Sequence, residues 1–304
     1  MALREMGLGK TILGGWNRRC RRPKPPGRHR ESWRRERKYV SWQANSRRRV
    51  RLGLVPLCAL LASCTVLEPS SSKPTVPAKP PPAVAPPDSG VPPPAVRLLT
   101  PGIPPLSVEN RPQNQLTAWS RSMSQPLNIP QAALQAYGYA ARSAEVSHPG
   151  CGLSWPVLAG IGAIETSHGR YGGTKLNGTG HTDRPIRGLP LNGLGVRAIP
   201  DTDGGKLDGD RQFDRAVGPL QFIPATWSKW SEDADGDGVA DPDDIDDAAQ
   251  TAATYLCSTG GDLRHPDSFW KALLTYNQSQ RYGQDVLDHA DQYGRQSREL
   301  PVRW

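Results

Sequence analysis

Between residues 69 and 112 the chain places 15 prolines in 44 positions. Proline lacks a backbone N–H and fixes φ near about −65°, so such a tract completes neither a helix nor a sheet ladder. An extended, polyproline-like segment is expected, a disordered tether over 64–114 that leaves 115–304 to fold as one domain. A proline-rich ligand for a partner domain is the other use of such a composition.

The tract also divides the charge. Of the 38 Lys and Arg residues, 17 lie in residues 1–63, where the only acids are Glu5, Glu31 and Glu36. The remainder carries 21 basic and 26 acidic residues, a net of −5. The overall +9 therefore belongs to the N-terminal segment, and a net-acidic domain is not built to coat a phosphate backbone, so no nucleic-acid partner is expected.

That basic segment ends in an export pattern. Arg47, Arg48, Arg49 and Arg51 precede an apolar run from Leu52 to Leu61, and Ala62-Ser63-Cys64 follows. A cationic cluster, about 10 apolar residues and small residues before a cleavage point make a secretory signal. Leu61-Ala62-Ser63-Cys64 also resembles the bacterial lipobox, whose cysteine is acylated and becomes the new N-terminus; a core element with a chance cysteine is the alternative. The first 40-odd residues are long for such a signal, which a translation start at Val40 or Val50 would explain. No apolar run reaches the roughly 18 residues that span a bilayer. The expectation is an exported protein at the outer face of the cytoplasmic membrane or in the cell wall, held by a lipid on Cys64.

Export sets the redox state of the remaining thiols. Cys20 and Cys58 precede the cleavage point, which leaves Cys151 and Cys257. One disulfide closing a loop of about 107 residues would contribute roughly 4 to 5 kcal/mol at most; two buried free thiols are the alternative.

Within 115–304 the periodicity is helical. Helices are expected from Pro130 to Arg142 with Asn128 near the N-cap, from Ser154 to Gly169 with Pro156 in the first turn, and from Asp246 to Ser258. Ser268 to Tyr276 and Tyr282 to Tyr293 give two more, while Tyr171 to Asp214 is glycine-rich and loop-like, long enough to be functional.

The second helix carries a carboxylate at an unusual place. Ile161 and Ile164 flank Glu165 at the end of an otherwise apolar stretch, and desolvation there raises a carboxyl pKa toward the range of a general acid. A surface glutamate at a fraying helix end is the plainer alternative. Further on, Gly218-Pro-Leu-Gln221-Phe222-Ile-Pro224-Ala-Thr226 resembles the G-x-x-Q-F-x-P-[ST] signature of lytic murein transglycosylases. Glu165-Thr166 with Gly169 resembles their E-[ST]-x-x-G box, and Leu273-Leu-Thr-Tyr276-Asn277 follows on a later helix. In order and spacing, over roughly residues 115 to 295, these motifs are similar to the lytic transglycosylase B family (glycoside hydrolase family 103), notably its actinobacterial lipoprotein-like members.

The resemblance implies a mainly α (α+β lysozyme-like) catalytic domain that cleaves the β-1,4 bond between N-acetylmuramic acid and N-acetylglucosamine in peptidoglycan without an organic cofactor. Glu165 matches the single acid/base, Gln221 a sugar-contacting glutamine, and Tyr276 and Asn277 a pair lining the cleft. The acids Asp201, Asp203, Asp208, Asp210 and Asp214 crowd the loop before Gly218. Asp214 entering the cleft would supply a second carboxylate and suit a lysozyme-type hydrolase; a solvated or cation-binding loop is the other reading. A non-catalytic peptidoglycan-binding lipoprotein on the same scaffold is the rival from a different class.

From Asp233 to Asp244 the acids fall at EF-hand spacing: Asp233, Asp235, Asp237, Asp241 and Asp244 at loop positions 1, 3, 5, 9 and 12, Gly238 at 6 and the Val239 carbonyl at 7. Calcium is the expected structural ion, with weakened affinity because position 12 is Asp and not Glu; a merely solvated acidic turn is the alternative.

Overall fold

In a computed structural model of the chain, residues 84–99, 110–194 and 196–303 are described. The basic segment, the lipobox at 61–64 with Cys64, and the first part of the tract lie outside them. Among the described residues no helix is long and apolar enough to cross a membrane.

The domain is mainly helical. A 3-10 turn at Pro112–Leu116 leads into α1 (Thr117–Leu127), α2 (Gln131–Ser147) and α3 (Trp155–Thr166). A long loop then reaches α4 (Pro224–Trp230), followed by α5 (Ile245–Gly260), α6 (Pro266–Tyr276) and α7 (Gln280–Arg298). Extended pairing among the described residues is limited to isolated bridges, most of them within the loop from Leu176 to Phe222.

Small side chains decide the packing. Ala132, Ala133, Ala136, Ala140 and Ala141 are buried on several faces of α2, so α5 can run along it through its own Ala248, Ala249, Ala252 and Ala253. α3 packs along α7 and is buried continuously from Trp155 to Gly162; its first solvent-touching positions are Ala163, Ile164 and Glu165. The Cys151–Cys257 disulfide is formed and joins the approach to α3 to the end of α5.

One boundary differs from the expected one, and one helix was not expected. Asn128 does not cap α2: it stands in the left-handed region at φ 54 and ends α1, while α2 starts after Pro130. α1 escapes a reading based on composition because it is rich in Ser and contains Pro126, yet Trp119, Met123 and Leu127, four apart, are its buried stripe.

The tether expected over 64–114 is corrected only for its described residues, 84–99 and 110–114. Residues 84–99 carry no regular secondary structure but are hydrogen-bonded to α2, α3 and α7. Trp155 Nε1 donates to the Val91 carbonyl at 2.9 Å, Val91 N donates to Ser297 Oγ at 2.9 Å, and Arg142 donates to the Pro93 and Pro94 carbonyls. A proline-rich backbone leaves its carbonyls unpaired, and donors projecting from the helices satisfy them. Arg111, also assigned to the tether, is fully buried; its guanidinium grips Asp246 at 2.6 Å and also donates to Gln135 Oε1 and the Gly178 carbonyl. The folded unit thus extends N-terminal to residue 115.

Candidate active site

The three motifs meet on one hairpin. Val217 and Phe222 exchange main-chain hydrogen bonds of 2.8 and 3.0 Å, turning the chain tightly through Gly218-Pro219-Leu220-Gln221. Gly218, at φ 73, lies so close to the Pro242 carbonyl that a Cβ would overlap it, so no other residue fits where the hairpin passes the acidic loop. Thr166, the neighbour of Glu165, donates its hydroxyl to the Pro219 carbonyl at 2.6 Å. Tyr276 at the end of α6 donates to the Leu220 carbonyl at 2.7 Å. The hairpin is therefore hung between the end of α3 and the end of α6.

Glu165 sits where these elements converge. Its side chain keeps partial contact with solvent but is crowded by protein, and this desolvation pushes the carboxyl up to about 7, opposed by the Tyr282 hydroxyl. Tyr282 lies in the first turn of α7, its ring stacked at 6.5 Å on that of Tyr276; its buried oxygen forms no regular hydrogen bond and faces the carboxyl. Burial and the nearby Glu165 raise both phenols well above their ordinary range, so both stay protonated. A carboxyl held near 7 and backed by neutral phenols can give a proton and take one back.

The other expected residues fare differently. Gln221 is at the hairpin in the left-handed region, φ 52, its Nε2 donating to the Gly218 carbonyl at 2.8 Å. Asn277 is exposed and accepts from Ser279 N at 3.1 Å, which shapes the turn from α6 into α7. Asp214 has no exposure; it accepts from Thr202 N at 2.9 Å and Thr202 Oγ1 at 2.7 Å. Its place as a second carboxylate in the cleft is corrected: it braces the glycine-rich loop from inside. Thr166 was legible as the second position of the E-[ST]-x-x-G box, whereas Tyr282 was not singled out as a site residue from the sequence. Tyr282 carries one signal there, the Ser279 cap that makes it the third residue of α7 and turns it toward α3.

Of the acidic loop, Asp233, Asp235 and Asp237 bring one carboxylate oxygen each within 4.8 Å of one another. Asp235 is 2% exposed, its Oδ2 has no hydrogen-bond partner, and burial with the surrounding carboxylates pushes it up to about 6. An orphaned buried carboxylate among two others suits a hard cation that takes oxygen donors. Val239 is exposed, and Asp241 accepts from Asp243 N at 2.8 Å. Asp244 also caps α5 through Asp246 N at 2.6 Å and faces His181 Nδ1 at 2.9 Å, and its charge is near enough to help raise Asp235.

Residues 214–269, which hold the hairpin, α4, the acidic loop and α5, match the family described as Transglycosylase SLT domain. No curated protein matches the chain. Two solved structures of the Escherichia coli lytic transglycosylase Slt35 are similar to it, one in complex with bulgecin A and one with calcium. They share 14% and 15% identity with this chain, each covering 59% of it and 79% of the other, at TM-scores of 0.36 and 0.35.

Proposed function

We propose that the chain is a peptidoglycan lytic transglycosylase with Glu165 as its single acid/base. The observation that carries this reading is the convergence on the Val217–Phe222 hairpin of Thr166, next to a carboxyl held near 7, and Tyr276. The SLT match over the same hairpin supports it. Protonated Glu165 gives its proton to the glycosidic oxygen as the bond from the muramic-acid C1 to that oxygen breaks. The resulting carboxylate then takes the proton of the muramoyl 6-hydroxyl, whose oxygen closes on C1, so Glu165 ends as it began and no water is consumed. Gln221 and the Tyr276–Asn277 pair contact the glycan, and the family is transglycosylase B.

The acidic loop holds a structural calcium through Asp233, Asp235 and Asp237, the orphaned Asp235 oxygen supporting this. Val239, Asp241 and Asp244 complete the EF-hand-like set. The ion would neutralise the loop against which Gly218 packs. Export and lipidation at Cys64 place the domain at the wall, where its partner is the glycan strand.

Mass spectrometry of products from purified peptidoglycan tests the reaction. Muropeptides ending in 1,6-anhydromuramic acid, about 18 Da lighter than hydrolysis products, are expected. Reducing ends as the main product would instead identify a lysozyme-type hydrolase.

A further inference from the structure

Directly after Glu165 and Thr166 the backbone enters a conformation that L-residues avoid. Ser167, His168 and Gly169 all have positive φ, at 52, 61 and 78. Such a run persists only where the surroundings over-determine it. Main-chain bonds supply part of the hold: Ser167 N donates to the Ala163 carbonyl at 3.2 Å and His168 N to the Gly162 carbonyl at 2.7 Å.

The Thr166 hydroxyl, accepting from Gly169 N at 2.8 Å, adds to it, and a further hold comes from the His168 ring, which is 1% exposed and caught between two helices. Nδ1 lies 3.1 Å from the Tyr137 hydroxyl of α2, and Nε2 lies 3.1 Å from the Tyr293 hydroxyl of α7. Tyr137 reaches it only because Gly162, one turn before Glu165, has no side chain; a Cβ there would overlap the phenol oxygen. Burial, with Arg170 and His289 nearby, holds the imidazole down to about 3, so it is neutral. A neutral imidazole donates through one nitrogen and accepts at the other, so one tyrosine gives a proton to the bridge and the other receives one. Both hydroxyls and both ring nitrogens are thereby matched.

We propose that His168 is the positioning residue for Glu165: bridged to Tyr137 and Tyr293, it locks the left-handed turn that ends α3 and so fixes where the Glu165 carboxyl stands. This rests on the reading of Glu165 as the acid/base. The bridge reaches α2 and α7 but leaves the bonds from Thr166 and Tyr276 to the hairpin intact, so it acts on the acid and not on the glycan contacts.

The test compares three variants of the full chain. His168→Phe keeps the buried ring and loses both hydrogen bonds, His168→Gln can donate to one hydroxyl and accept from the other, and Tyr293→Phe removes one bond alone. In His168→Phe, kcat should fall by about tenfold or more while KM stays within about twofold, because misplacing a catalytic group costs rate before it costs binding. His168→Gln should recover part of the loss and Tyr293→Phe should fall between. Alongside, ¹³C NMR titration of the Glu165 carboxyl should move its midpoint away from the wild-type value in His168→Phe. Wild-type kcat together with an unmoved midpoint in folded His168→Phe overturns the proposal, as does an equal kcat loss in the Phe and Gln variants with no change at the carboxyl. Should His168→Phe fail to fold, Tyr293→Phe decides by the same two measurements. A wild type that forms no 1,6-anhydro product defeats the transglycosylase reading separately, since the carboxyl titration still reports on positioning.

Discussion

Thr166 and Pro219 lie 53 residues apart in sequence and are joined by a 2.6 Å hydrogen bond from the threonine hydroxyl to the proline carbonyl. The same hydroxyl accepts from Gly169 N at 2.8 Å, so one buried oxygen ties the end of the acid-bearing helix both to the hairpin and to the left-handed turn behind it. Thr166→Val keeps the shape but leaves a buried carbonyl and a buried N–H unpaired, which should cost about 1 to 3 kcal/mol. Thr166→Ser retains the oxygen and should recover most of that. Urea unfolding of the three proteins, with turnover on the same samples, checks this; equal stability of wild type and Thr166→Val would refute the link.

The Glu165 carboxyl should limit both rate and stability. Glu165→Gln preserves size and removes the titrating proton, so turnover should fall by about 10²- to 10⁴-fold, the usual contribution of general acid catalysis. The stability effect has a definite sign. The folded carboxyl titrates at about 7 against an ordinary 4.5, so between those values the unfolded chain releases a proton that the folded protein keeps. Wild-type stability therefore falls as pH rises through that window. Glu165→Gln escapes this cost and should be the more stable protein above pH 7, by up to roughly 3 kcal/mol, with the difference gone below about pH 4.5. Melting curves across pH with the advantage at the acidic end would contradict the burial of this carboxyl.

What the sequence made legible follows from period and from isolated chemistry. The apolar run before Glu165 predicted α3 and offered the raised carboxyl beside the plainer reading of a surface glutamate, since a helix with no solvent face from Trp155 to Gly162 must deliver its last residues to an edge. The acid spacing from Asp233 located a loop whose first three carboxylates do converge. Less visible was anything decided by a partner far away in the chain. Even a partner 12 residues away was out of reach of the sequence: Asp214 could be a cleft carboxylate or part of a solvated or cation-binding loop, and a composition count cannot say which of five loop acids turns inward to Thr202. Val91, Pro93 and Pro94 looked like tether because the groups that hold their backbone, the Ser297 hydroxyl accepting from Val91 N and the Trp155 and Arg142 donors to the carbonyls, lie up to 206 residues away. Tyr282 was legible only as the start of an expected helix, and its approach to Glu165 is what distinguishes it.

The docked segment can be tested through one glycine. Gly294 of α7 faces the Asp88 carbonyl so closely that a Cβ would overlap it, and Arg298 on the next turn holds Asp88 at 2.8 Å. Gly294→Ala should by itself favour the helix by up to about 1 kcal/mol. Overlap with main chain outweighs that, because the clashing carbonyl cannot rotate away as a side chain does. The expected result is a lower melting temperature, with limited proteolysis now cutting between 84 and 99. A stabilised, protease-resistant Gly294→Ala would mean that helix propensity wins and that the segment is only loosely held.

Buried Arg111 gives an independent test of the same N-terminal boundary. Its guanidinium and the Asp246 carboxylate are both without solvent exposure, so Arg111→Met strands a carboxylate at the start of α5. Breaking such a pair from one side costs about 3 to 5 kcal/mol. The double variant with Asp246→Leu removes both charges and should regain a large part of the loss. Single and double variants equally unstable in chemical denaturation would point to packing and not to the ion pair.

The acidic loop makes the last prediction, and the sign of its response separates an ion site from a solvated turn. Asp233, Asp235 and Asp237 crowd their oxygens together, and Asp235 Oδ2 is buried with nothing to bond. Without a cation these charges repel at short range, so chelation should lower the melting temperature and calcium should restore it, by about 2.7 kcal/mol of stability at a hundredfold excess over Kd. Asp235→Asn removes one of the repelling charges and one ligand at once. In chelator it should therefore melt no lower than the wild type, while added calcium should leave it nearly unchanged. Because Gly218 packs on the Pro242 carbonyl within the same loop, loosening the loop also frees the hairpin that carries Gln221, and chelated wild type should lose turnover below its melting temperature. A wild-type melting curve indifferent to both chelator and calcium, or an Asp235→Asn protein that responds to calcium as the wild type does, would leave only a solvated acidic turn.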